Sequence, residues 1–217
     1  MLVSGPLGEY LKACIAIFVL IDPIGAIPVY LSLTPNYTPA EHRRTVRRIA
    51  AATTLILLGS LAIGGPALAL FGISIPAFRV AGGLLILLMA FGMMRAIPGG
   101  ARQTREEASA AAEKPDIAVV PMATPLLAGP GAIGAMIVYG HIQASVMNYL
   151  VLAAIAALVG GSTWLALHMA APIGARLGKT GINVLTRIMG LLLAAIAVEM
   201  AANGLRDLFP ALGAYPR

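Results

Sequence analysis

The chain has 217 residues, 59% hydrophobic and 11% charged, with a mean hydropathy of +0.88. Soluble domains of this length carry about 25% charged residues, so a water-soluble globule is excluded and an integral membrane protein is expected. The net charge of +6 comes without an aromatic- or arginine-rich binding stretch, so basic loops at one membrane face account for it rather than nucleic acid.

A helix that spans a bilayer needs about 20 mostly apolar residues. Six stretches qualify: roughly Leu7 to Thr34, Val46 to Phe71, Pro76 to Met94, Ile117 to Gly140, Met147 to Pro172 and Ile182 to Leu208. The fold class expected is an all-α membrane protein of six transmembrane helices. The first stretch is longer than a signal h-region and continues through Asp22 without a cleavage site, so it reads as a retained span. The single Cys14 leaves no partner for a disulfide or a CxxC pair.

The first span contains Asp22-Pro23-Ile24-Gly25-Ala26-Ile27-Pro28. The fourth contains Thr124-Pro125-Leu126-Leu127-Ala128-Gly129-Pro130. Pro23, Ala26 and Pro28 match Pro125, Ala128 and Pro130 at an offset of 102 residues. Gly59-Ser60 matches Gly161-Ser162 at that offset, and Arg79 to Gly82 resembles Arg187 to Gly190 at an offset of 108. Two halves of three helices face opposite ways, so the expected arrangement is an inverted repeat. The halves are residues 1–97 and 117–217, with a polar linker over 98–116 that includes a helical turn around Glu106 to Ala112.

Lysine and arginine set the orientation. Arg43, Arg44, Arg47, Arg48, Arg95, Arg102, Arg105, Lys114, Arg176 and Lys179 fall on one side, against Lys12, Arg206 and Arg217 on the other. The basic side, with the 98–116 linker, is expected in the cytoplasm and both termini outside.

A proline inside a helix removes a donor and clashes with the preceding turn, at about 3 kcal/mol. Such backbone survives in a membrane only buried in protein or beside a watery cavity. Helices one and four are therefore expected to break at the two motifs, near midplane. Pro23, Gly25, Pro28, Pro125, Gly129, Pro130 and Gly131 are the backbone candidates for a binding site, with glycines bare enough for a ligand to approach. Asp22 is the acid in the middle of span one. A carboxylate there reads as functional or as a cap for the half-helix that follows. Thr124 offers a neutral oxygen at the matching place. Ser60, Ser162 and Glu199 are candidates for additional polar lining, and Glu199 is open either to proton carrying or to pairing with Arg79. No metal site, cofactor motif, nucleotide loop or nucleophile–base pair is read, so an enzyme is not expected.

The chain resembles MarC-type membrane proteins of the neutral amino acid transporter family (UPF0056-like). The resemblance is carried by Phe18 to Pro28, Ala81 to Leu85 with Phe91 to Met93, Val120 to Ile133, and Arg187 to Leu192 with Ala195 to Met200. It implies a bacterial inner-membrane protein with six helices. It also implies transport of small neutral amino acids such as glycine and alanine, by uptake or export, with an H⁺ or Na⁺ gradient as the drive. An ion or metal exporter of the same architecture and a non-transporting scaffold are the alternatives. The expected partners are the amino acid and the lipid bilayer, and an oligomer is compatible with both.

Overall fold

The computed structural model describes residues 6–95, 117–142 and 145–213. The linker expected over 98–116, with its turn near Glu106 to Ala112, lies outside them. Among the described residues all regular structure is helical: α1 Pro6–Ile21, α2 Ile27–Leu33, α3 Pro39–Leu70, α4 Ile75–Met94, α5 Ala118–Leu127, α6 Pro130–Ile142, α7 Val146–His168 and α8 Ala170–Leu208, then a short 3-10 turn, Pro210–Gly213.

Helix starts follow local chemistry. Thr38 caps α3 by accepting from the Glu41 amide at 3.3 Å, while Glu41 accepts from the Thr38 amide at 2.8 Å, with Pro39 in the first turn where its missing donor costs nothing. Ser74 caps α4 and Ser145 caps α7. Asn148, in the first turn of α7, donates to the carbonyls of Tyr139 and Gly140 at 3.1 and 3.3 Å. It thereby satisfies carbonyls that the end of α6 would leave bare.

Among the described residues four helices are long and apolar enough to cross a bilayer: α3, α4, α7 and the part of α8 from Thr180 to Leu208. α5 and α6 meet at 65° and add a fifth if the bent pair is one span. The first expected span is divided into helices of 16 and 7 residues, each short of the roughly 20 that crossing requires. The boundary expected after Pro172 is corrected. α7 ends at His168, and α8 begins at Ala170 and bends at Gly178, whose φ of +59° is a conformation glycine adopts cheaply. The piece before that bend lies on α2, where Gly174 faces Leu31 and Ile27.

α4 packs most extensively on α8, and α3 on α7. Small residues permit the approach: a Cβ on Gly83 would meet the Ala197 carbonyl and the Ala201 amide at 2.8 Å, and one on Gly204 would meet the Pro76 carbonyl at 2.9 Å. On the outer surface Leu55, Ile63, Leu84, Leu88 and Leu158 are all more than half exposed. In water such faces would cost about 25 cal/mol per Å²; against lipid tails they cost nothing. The broken segments sit inside this frame, with α5 held against α3 and α6 against α3, α4 and α1.

Candidate functional site

Both motifs break their helices, by different means. α1 ends at Ile21, and Asp22 takes a φ of +47°, which short polar Asp tolerates better than most residues. Its Oδ1 accepts from the Gly25 amide at 3.1 Å, and its carbonyl accepts from the Ala26 amide at 3.2 Å. The Ile27 amide donates to the Ile24 carbonyl at 3.1 Å, and α2 then starts with Pro28 in its first turn. Asp22 is 7% exposed and Pro23 is buried. The N-cap of α2 is Ala26, with no side-chain cap. The carboxylate therefore locks the turn that precedes α2 rather than capping the helix.

The second break carries no charge. Val120 and Thr124 are extended, each ahead of a proline, where the ring disfavours helix in the preceding residue. The Val120–Pro121 and Thr124–Pro125 bonds are cis. The amides of Met122 and Ala128 reach back five residues, to the carbonyls of Ile117 and Ala123 at 3.1 and 2.8 Å. A wide coil thus replaces the ladder that the prolines remove. The Gly129 amide donates to Leu127 at 2.9 Å, Ala128 and Gly129 are buried, and Pro130 opens α6.

The helices that flank the two breaks touch, the last turn of α1 against the first turn of α6. A Cβ on Gly131 would lie 2.9 Å from Met89 Sδ and 3.1 Å from Leu20 Cδ2, and Leu20 stands two residues before Asp22. The glycines expected to be bare are approached by the protein itself. A side chain on Gly25 would collide with the Asp22 carboxylate, and one on Gly129 would meet the Pro125 carbonyl at 2.7 Å. Gly134 is the roomier position, 3.8 Å from the Phe78 ring.

The outlying candidates divide. Ser60 donates to the Ile56 carbonyl and Ser162 to the Val159 carbonyl, both at 2.7 Å; each hydroxyl stays on its own helix. Glu199 does not pair with Arg79. Arg79 binds Asp207 at 2.6 Å, and Glu199 faces Lys12 at 3.6 Å. The pairing expected between Glu199 and Arg79 is thus corrected: α8 presents Asp207 to the guanidinium instead.

Thr53 is a polar residue inside the second expected span. It is fully buried, and its Oγ1 has no hydrogen-bond partner, the one such buried side-chain oxygen or nitrogen among the described residues. Thr54 beside it donates to the Ala50 carbonyl at 2.9 Å, so the local helix does not prevent such a bond. Thr53 stands near the middle of α3, on the line Ile49, Leu57 and Leu61 four residues apart. A Cβ on Gly140 would meet Leu61 at 2.8 Å, two turns further along α3 than Thr53. Among the described residues no group of three His, Cys, Asp or Glu converges as metal ligands would.

A helical chain with a lipid-compatible surface and two broken segments packed together inside it defines a polytopic membrane protein. Residues 7–209 match the family described as MarC family integral membrane protein, and the chain belongs to that family. It is 41% identical over 206 residues to UPF0056 membrane protein YhcE of Escherichia coli, covering 94% of each chain. It is 41% identical over 198 residues to a UPF0056 membrane protein of Methanocaldococcus jannaschii, covering 91% of this chain and 96% of that one. To YvbG of Bacillus subtilis it is 38% identical over 200 residues, covering 91% and 94%. No solved structure matches it.

Proposed function

We propose that the protein is a secondary transporter of small neutral amino acids, glycine and alanine in class, with its substrate site where the two broken helices meet. The observation that carries this reading is the contact of Gly131 with Leu20 beside Asp22, which brings two interrupted, largely buried segments together. Transporters place substrate between such discontinuous helices. The first turn of α6 has no intrahelical acceptor for the amides of Gly131 and Ala132, and the positive end of its dipole suits a carboxylate. Asp22 suits the ammonium group.

The six-span inverted repeat belongs to this proposal, with α1 and α2 together as the first span. Its support is the pairing of equivalent helices, α3 with α7 and α4 with α8. Reciprocal contacts add to it: Gly82 faces Met200, and Gly190 faces Met93. The arginine-rich face is cytoplasmic and the termini lie outside, by the lysine and arginine count. The membrane is the bacterial plasma membrane, the coupling ion is H⁺ or Na⁺, and no chemical step is proposed.

One observation favours a second reading. Asp22 holds its own turn, and the glycines are filled by protein, as a non-transporting scaffold would also need. Purified protein in liposomes, with labelled glycine and alanine under a proton or Na⁺ gradient, separates the two. The transporter gives saturable flux; flux no greater than in empty vesicles under both gradients refutes the transport reading.

A further inference from the structure

A cavity of about 380 Å³ opens on the side opposite the arginine-rich face, between α1, α4, α6 and α8. Its size is in the range of small-ligand sites, about 300–1,000 Å³. Ile15, Val138, Ile196 and Met200 wall it, and Tyr139 and Asn203 add polar groups. Its ionic groups come from both halves of the chain: Glu9 and Lys12 from α1, Arg79 from α4 and Glu199 from α8.

The two cations are not equivalent. Arg79 is fixed by Asp207 at 2.6 Å, and its side chain is only 15% exposed. Lys12 and Glu199 stand 3.6 Å apart with side chains 64% and 62% exposed. An exposed ion pair of that kind contributes little stability and exchanges partners cheaply. A molecule with both an ammonium and an anionic group satisfies both ends at once.

We infer that this cavity is a binding site for a zwitterion, whose anionic group meets Lys12 and whose ammonium meets Glu199. The site is distinct from the two breaks: Ile15 in its wall is seven residues short of Asp22, about 10 Å along a helix. A free amino acid and the headgroup of phosphatidylethanolamine share this chemistry. The inference rests on the transporter reading only where the occupant is cargo. It stands or falls on binding, whereas transport stands or falls on flux.

The test is calorimetry on the full chain in phosphatidylglycerol nanodiscs, titrated with alanine, ethylamine and propionate. Alanine is expected to bind saturably and at least tenfold more tightly than either single-charge analogue. Lys12→Met and Glu199→Gln should each weaken alanine at least tenfold, Lys12→Arg should bind as the parent does, and the double exchange Lys12→Glu with Glu199→Lys should recover affinity to within about threefold. Recovery in the exchanged pair is something a merely structural ion pair would not give. Repeating the titration in phosphatidylethanolamine nanodiscs assigns the source: loss of alanine binding there marks a lipid headgroup, and unchanged binding marks a free molecule. The inference is overturned by alanine affinity that both single variants leave unchanged, by ethylamine or propionate binding as tightly as alanine, or by no saturable binding in either bilayer. Binding with these properties but without flux would keep this site and remove the transport reading. Flux with binding indifferent to Lys12 and Glu199 would do the opposite.

Discussion

The first break is held by a side chain and the second by backbone. Asp22 closes a single tight turn by bonding the Gly25 amide. Between Val120 and Pro130 the chain has no ionisable residue and is held by amides that reach back five residues. The same Pro-x-x-Ala-x-Pro spacing therefore supports two solutions to one problem, the satisfaction of backbone groups freed by proline in a water-poor place. A charge-locked turn depends on one residue. A wide coil spreads the load over several bonds.

That difference is open to being broken by substitution. Asp22→Ala should have the largest effect. It removes the acceptor for a partly buried amide, about 1 kcal/mol or more, and puts alanine in a left-handed conformation that costs roughly 1–2 kcal/mol more. The melting temperature in detergent should fall steeply. Asp22→Asn keeps an acceptor and tolerates the same φ, so it should stay folded while amino-acid flux drops at least tenfold. Normal flux in a folded Asp22→Asn protein would confine Asp22 to the turn.

Gly25→Ala against Gly131→Ala sharpens the same contrast. At Gly25 the added methyl meets the carboxylate that locks the turn, and overpacking there should cost about 1–3 kcal/mol. At Gly131 the nearest atom belongs to Met89, an adaptable side chain, so the loss should be smaller by about 1 kcal/mol or more. Thermal unfolding of the two variants side by side measures this, and equal losses would contradict the asymmetry.

Thr53→Val should change stability least, because replacing an unpartnered hydroxyl by a methyl of similar size removes a buried group with no bond to lose. If the hydroxyl serves the site, the KM for alanine should rise about tenfold in liposome flux with the melting temperature unchanged. A KM within twofold of the parent value would make Thr53 a packing residue.

The helical class and the position of both breaks were legible in the sequence, because proline at 23, 121 and 125 leaves the helix few alternatives. The nature of each break was not. Asp22 was readable as a site carboxylate or as a cap for the half-helix that follows, and only the direction of its side chain decides that it bonds Gly25 and leaves α2 without a side-chain cap. The partner of Arg79 was hidden for a related reason: Asp207 is 128 residues away, and depth does not fix how α8 is rotated. Thr53 resembles Thr54 and Ser60 in sequence, and burial without a partner sets it apart. The bend at Gly178 had a glycine as its signal, but glycine is too common in this chain to be read as a break.

The central claim is that water and substrate reach the place where the two broken helices meet. Thr124 sits within the second break and is partly exposed. Thr124→Cys in a Cys14→Ser background, challenged with a charged, membrane-impermeant thiol reagent, tests the claim directly. The account predicts modification from at least one side of the membrane, slowed several-fold by saturating alanine. A cysteine at this position that does not react from either side, or that reacts at a rate alanine leaves unchanged, would contradict it.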